Sequence, residues 1–372
     1  MVATQQTMTG GVRTTSIRVG VIGVGFGAAV HVPALQHLPE TEVVAVCARR
    51  AERAHLAAAQ HGVKIALSDF RVLLRDTGID AVVVATPPHL HHQMTLAAIE
   101  AGKHVLCEKP MARNLAEARD MVKLAESNGV TTMVNHEFRF SPDRARAKEL
   151  IDEGYLGEPH AASIVVYRAS LNDPNGATWD WLMESAKGGG MLGAAGSHYV
   201  DALRWWYGEV KSVAGATTTM IKRRRLPEST QTAPVDADDN FALMLRFANG
   251  ALATVHYSAT APHDAGDEIV LSGSDGLLIL RGDGRLLGAR RGESPAELPI
   301  PERLSPVFPE FDHPSTGPTI LLMREWVRAI RTGVPASPSF ADGVKVQEIL
   351  DGVVRSTQQG RWVDLVRTRF QM

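Results

Sequence analysis

The stretch Ile17-Arg18-Val19-Gly20-Val21-Ile22-Gly23-Val24-Gly25-Phe26-Gly27-Ala28 decides the fold. Its first six residues are mostly apolar and β-branched, the pattern of a buried strand. The run leads straight into Gly23-x-Gly25-x-x-Ala28. Each small residue has a purpose there. Gly23 permits a tight strand-to-helix turn, Gly25 lets backbone N–H groups approach a pyrophosphate, and Ala28 lets the following helix pack close to the strand. A glycine-rich turn alone carries little weight. Here a helical pattern follows and a second apolar strand, Val43 to Cys47, comes about twenty residues on. The stretch therefore predicts a dinucleotide site contacted by Gly23, Gly25, Phe26, Gly27 and Ala28.

The end of that second strand bears on which dinucleotide. An Asp or Glu there would bind the adenosine ribose 2′-hydroxyl of NAD, but the chain has Ala48-Arg49-Arg50. Two guanidinium groups in place of a carboxylate suit a 2′-phosphate, which favours NADP over NAD. The alternative is that both arginines face solvent and NAD binds.

The 372 residues are enough for two domains, and 39 basic against 41 acidic side chains give a formal net charge of −2. That balance points to neither nucleic acid nor a polyanionic partner. The basic run Lys222 to Arg225 is expected at a solvated strand end or loop. Cys47 and Cys107 end two apolar runs and read as small core residues of a reduced protein rather than a disulfide or metal pair. Residues 1–15 are polar and expected to be frayed. No stretch has the length of a membrane span, and the expected setting is the cytoplasm.

Further strands are predicted at Ala81–Ala85, His104–Cys107 and Thr131–Asn135, with helices between them from His91 and from Asn114, the latter opened by an Asn114/Glu117 capping box. Pro33 should kink or split the helix after the glycine loop. Thr86-Pro87-Pro88 and Glu108-Lys109-Pro110 end their strands at the carboxyl edge, where doubly wound sheets bind ligands. His89, His91 and His92 lack a carboxylate or cysteine to complete a metal set and read as cofactor-facing or capping. Beyond residue 137 the pattern turns to period-2 strands and tight hairpins, as in Phe241, Leu243, Leu245 and Phe247 before Ala248-Asn249-Gly250. The expected organisation is a doubly wound α/β domain over 16–137 and an α+β domain with an open, mostly antiparallel sheet over 138–372.

Together these motifs resemble the glucose–fructose oxidoreductase / inositol dehydrogenase family, often called Gfo/Idh/MocA. The residues that carry the resemblance are Gly23-x-Gly25-x-x-Ala28, Thr86-Pro87-Pro88-x-Leu90-His91, Glu108-Lys109-Pro110, and Gly188-Gly189-Gly190-x-Leu192 with Gly196-Ser197-His198-x-x-Asp201. The C-terminal pattern Ser339-Phe340-Ala341-Asp342-Gly343 to Arg361-Trp362-Val363 is similar too. The resemblance implies NAD(P)-dependent oxidation of a secondary alcohol of a sugar or cyclitol, or the reverse, and an open sheet that often forms a homodimer or homotetramer interface. It implies Lys109 as the catalytic lysine at the substrate and His198 as the histidine that hydrogen-bonds the reacting oxygen. Both residue types suit proton exchange beside a nicotinamide.

One position departs from the family. An aspartate usually stands four residues before the histidine, and this chain has Ala194. Asp201 could orient His198 from the other side, or be structural. Tyr167, Arg168, Trp179, Asp180 and Trp181 precede the glycine triplet and are candidates to line a substrate pocket, with one tryptophan assigned to core. Alternative functions are redox-neutral processing of a glycoside with retained NAD, and a non-catalytic dinucleotide sensor. The first would show no net NAD(P)H change, the second no turnover.

Overall fold

The structure, a computed structural model, describes residues 16–365 except 174, 175, 177 and 310, so the N-terminal segment expected to be frayed lies outside the described residues. The first sheet contains β1 (Ile17–Ile22), β2 (Thr41–Cys47), β3 (Ile65–Leu67), β4 (Ala81–Val84), β5 (His104–Cys107) and β6 (Thr132–Val134). All pairs are parallel, in the order β3-β2-β1-β4-β5-β6. Helices cover both faces, which is why β4 can read Ala-Val-Val-Val with every side chain buried. Strand order reverses between β1 and β4, and the glycine loop and Thr86 follow those two strands. After the glycine loop the chain makes a wide π-type turn, Gly27–His31, and then a short α-helix, Val32–Gln36. Pro33 marks the split, because it brings no N–H to continue the earlier ladder.

The second sheet is formed by β7 (Pro159–Tyr167), β8 (Val210–Thr218), β11 (Asn240–Phe247), β12 (Leu252–Ser258), β13 (Gly266–Gly273), β14 (Gly276–Arg281), β15 (Leu286–Arg290), β16 (Ala296–Glu297) and β17 (Val363–Asp364). Strands β9 (Arg223–Arg225) and β10 (Thr232–Pro234) form a separate hairpin. The order is β16-β15-β14-β13-β7-β12-β11-β8-β17, antiparallel except where β7 meets β12. Phe241, Leu243, Leu245 and Phe247 share the buried face and pack toward the helices Ser197–Tyr207 and Phe340–Gln359. Val165, Tyr167, Met244 and Leu252 lie exposed on the opposite, open face.

The C-terminal helices bind the halves together. Helix Thr316–Thr332 packs on the first sheet, with Trp326 fully buried in the cluster that holds Val19 and Leu35. Helix Phe340–Gln359 lies in both cores. Phe340 and Val344 join Val84 and Cys107, whereas Val346, Ile349 and Val353 join the second sheet's core. Burial of side chains this size stabilises by about 2 kcal/mol each, so the helix fixes the carboxyl ends of β5 and β6 against the second sheet.

One expectation is corrected here. Within the basic run, Arg224 is not solvated but only 1% exposed, its guanidinium donating to the carbonyls of Leu171 and Asp173. Two main-chain carbonyls are met by separate nitrogens of one planar fork, a geometry that a lysine's single ammonium does not match.

Candidate active site

The glycine loop fits a dinucleotide. Gly23 has φ +103°, and a Cβ there would lie 2.3 Å from the Ala85 carbonyl oxygen, so the β1 turn closes directly on the end of β4. A Cβ at Gly25 would meet nothing within 4 Å, which leaves open space in front of the loop. Phe26 stands over that opening, edge-on to His31 and His313 at 5.5 and 5.3 Å. Gly27 and Ala28 are buried beneath it. Arg49 and Arg50 are exposed, with no ion pair among the described residues, while the Ala48 N–H is already taken by the Leu67 carbonyl.

Thr86, Pro87 and Pro88 lead into the helix Pro88–Glu100. His91, on its first turns, is fully buried. One ring nitrogen lies 2.6 Å from the Thr86 carbonyl and the other 3.0 Å from the Pro110 carbonyl, so the residue ties two site loops together. Both nitrogens thus face main-chain carbonyls.

The Glu108-Lys109-Pro110 loop follows β5. Glu108 Oε1 lies 2.7 Å from His31 Nε2 and accepts from Asn135 Nδ2 at 2.8 Å, and Oε2 accepts from the Lys109 N–H at 3.0 Å. Burial would raise this carboxyl, but the hydrogen bond and charge of His31 and the charge of Lys109 outweigh it and hold it at about 2. Lys109 reaches across the cleft and donates from Nζ to the Ala194 carbonyl at 3.2 Å. The position that lacks the family's carboxylate thus still meets the lysine, through its backbone.

Across the cleft, Leu192–Gly196 forms a second wide π-type turn and Ser197–Tyr207 an α-helix. Gly188 (φ +75°) brings this segment against the first domain, since a Cβ there would lie 2.7 Å from Pro88 Cβ. His198 is 3% exposed and stacked on Phe138 at 4.0 Å and 13°. Burial first, then the charges of Lys109, His136 and Arg144, push its imidazole well below the ordinary value, so it is neutral. Its Nε2 lies 3.6 Å from Glu137 Oε2, and its Nδ1 is buried with no hydrogen-bond partner among the described residues.

Asp201 is paired with Arg139 on the turn after β6. Both oxygens accept from Arg139, at 2.7 and 2.6 Å, and the pair is almost wholly buried. Arg168 is engaged with Asp267 at 3.0 Å. Trp179 donates to the Pro234 carbonyl, and Asp180 caps the turn Trp181–Met183. Tyr167 packs edge-on to His256 on the open face of the second sheet, away from the helix that carries His198. The structure brings Lys109, His198 and the glycine loop together, and among the described residues no hydrogen bond, ion pair or ring contact joins Tyr167, Trp179 or Asp180 to them. A cavity of about 710 Å³ lies behind Pro110, lined by Arg113, Gly188, Leu192, Asp238 and Asp351 among others, and neither Lys109 nor His198 forms its wall.

Sequence reading missed Asn135 and Glu137. Both are buried just past β6, and Asn135 Nδ2 lies 3.5 Å from Glu137 Oε2. The available signal was their place: polar residues directly after an apolar strand, at the sheet edge where ligands bind.

Two family models match this chain. The first, an oxidoreductase family with an NAD-binding Rossmann fold, covers residues 17–136, and the second, the GFO/IDH/MocA C-terminal domain, covers residues 145–279. An uncharacterized oxidoreductase of Synechocystis sp. is 32% identical over 94% of this chain and 96% of its own. Levoglucosan dehydrogenase of Pseudarthrobacter phenanthrenivorans is 32% identical over 94% of this chain and 98% of its own. A solved levoglucosan dehydrogenase in complex with NADH and levoglucosan superposes with a TM-score of 0.87 at 29% identity, covering 94% of this chain and all of that one.

Proposed function

This chain belongs to the Gfo/Idh/MocA oxidoreductase family, and we propose that it transfers hydride between a bound nicotinamide dinucleotide and a secondary alcohol or ketone of a sugar or related cyclic substrate. The single observation that supports this best is Lys109 Nζ, which bridges from the end of β5 to the Ala194 carbonyl on the segment that carries His198. The bound dinucleotide would supply hydride acceptance and donation. The loop Gly23–Ala28, the segments Thr86–Pro88 and Ala48–Arg50, and the Glu108-Lys109 turn would hold it. Lys109 would place its ammonium on the reacting oxygen, and His198 would present a neutral imidazole nitrogen to the same oxygen. The likeness to levoglucosan dehydrogenase supports a carbohydrate-like substrate.

The test is NAD(P)H absorbance over a panel of anhydrosugars, sugars, cyclitols and ketones. Lys109→Ala should lower kcat by about 10³-fold with little change in dinucleotide affinity, and near-normal turnover in that variant would refute the role.

Two finer readings belong to the same proposal. Exposed Arg49 and Arg50 support NADP over NAD, although the solved relative carries NADH. Replacing both arginines by alanine should weaken NADPH more than NADH in a fluorescence titration, and equal losses would discard the preference. The exposed apolar side chains of the open sheet face support a homodimer or homotetramer, which light scattering on the eluting protein would test.

A further inference from the structure

Among the described residues Glu137 is a buried carboxylate with no part in the proposed hydride transfer. It sits on the short turn Glu137–Phe140 directly after β6, and its Oε2 faces His198 Nε2 at 3.6 Å. Phe138, the next residue, stacks on the His198 ring and holds it in place. The distance is slightly beyond a hydrogen bond, as is common before substrate closes a site. Behind Glu137 the polar contacts continue through Asn135 Nδ2 to Glu108 Oε1 and His31 Nε2, so the dyad is anchored to the glycine-loop turn.

We infer that Glu137 is the positioning residue of His198: it sets which imidazole nitrogen carries the proton and exchanges that proton with the ring during turnover.

The reasoning is electrostatic. His198 is walled in by Lys109, His136 and Arg144, all of which oppose a positive ring, and burial opposes it further. A proton arriving at Nδ1 therefore has to leave from Nε2, and the group facing Nε2 is Glu137. Its carboxyl meets Lys109 and Arg144, which favour the charged form, and Glu108, which disfavours it. Burial is the largest influence and raises the carboxyl to about 7, so it both takes and gives a proton near neutrality.

This inference rests on the hydride-transfer reading. In the oxidative direction the substrate O–H bond breaks and its proton forms an N–H bond at His198 Nδ1. The Nε2–H bond breaks and its proton forms an O–H bond on Glu137. The electron pair of the substrate C–H bond leaves with hydride to the oxidised dinucleotide, and the carbonyl forms. In reduction every proton runs backward. An ionised Glu137 thus leaves Nδ1 as an acceptor for the alcohol, and a protonated one makes Nδ1–H a donor to the ketone.

The experiment compares the full-length wild type with Glu137→Gln and Glu137→Asp. Nitrogen NMR of ¹⁵N-histidine-labelled protein, with the His198 signals identified by loss in His198→Gln, reads the tautomer without turnover. Wild-type kcat for oxidation should rise with pH through an apparent value near 7. Glu137→Gln should abolish that limb, lower kcat by about 10–100-fold and change the His198 tautomer populations across pH 5–9. Glu137→Asp should keep a titrating limb. An unchanged His198 tautomer profile in Glu137→Gln overturns the inference, whatever the activity. If no substrate is turned over, the hydride-transfer reading fails, while the nitrogen shifts still decide whether Glu137 controls the ring.

Discussion

The carboxyl ends of β5 and β6 are neighbours in one sheet, and each places a buried glutamate near Lys109. Glu108 accepts from an amide and a backbone N–H and faces an imidazole, and it is held at about 2. Glu137 accepts from its own backbone N–H, has a 3.5 Å approach from Asn135 and lies 3.6 Å from His198, and it is raised to about 7. Burial is common to both. What separates them is how closely the donors approach the oxygens. A fully solicited carboxylate is a fixed charge that shapes the site, and a poorly solicited one can move a proton.

The largest effect should come from a third buried carboxylate. Asp201→Ala leaves the buried Arg139 guanidinium with only Ser337 and a longer approach to Asp342. The loss of stability should be about 3 kcal/mol, measured by denaturant unfolding. Well below its unfolding temperature the variant should keep kcat within a few-fold. A large fall in kcat with normal stability would instead mean that Asp201 acts on His198.

Glu108→Gln should come next. The fold lowers this carboxyl from 4.5 to about 2, so its ionised form adds stability above the unfolded value, and that contribution fades as pH falls through the folded one. The gap between wild type and variant should be roughly 2–3 kcal/mol near neutrality and close between pH 5 and 2. A gap that persists unchanged at low pH would show that Glu108 is not held ionised.

Glu137→Gln should give an effect no larger than that and of the opposite sign. Here the folded chain binds the proton more tightly than the unfolded chain, so stability is lost as pH rises from 4.5 through about 7. The variant should be more stable than wild type by roughly 2–3 kcal/mol at pH 9, and the gap should close below about pH 4. If both glutamine variants respond to pH in the same direction, the contrast between the two strand ends is gone.

What could be read from the chain follows the range of the interactions. The glycine loop, the Pro87-Pro88 stop and the Asn114 cap are decided by residues a few positions apart, and each was legible. The Asn114 side chain does accept from the Glu117 N–H, although Glu117 returns its bond to the Arg113 N–H, one residue earlier than a capping box requires. Strand β3 is three residues long, too short for periodicity to show. The pairing of Arg139 with Asp201 spans 62 positions, and the packing of Trp326 beneath Val19 far more. No local pattern encodes which of several acidic residues an arginine will meet. Glu137 escaped notice for that reason: its significance depends on His198 arriving from another domain and on Lys109 arriving from another strand.

The helix Phe340–Gln359 acts as a splint across the cleft. One end is set in the nucleotide half and the other in the half behind His198, so a wide hinge rotation would have to extract Phe340 or Val353 from its packing, at about 2 kcal/mol for each side chain uncovered. That cost favours entry and exit of small molecules by yielding of the rim over parting of the halves.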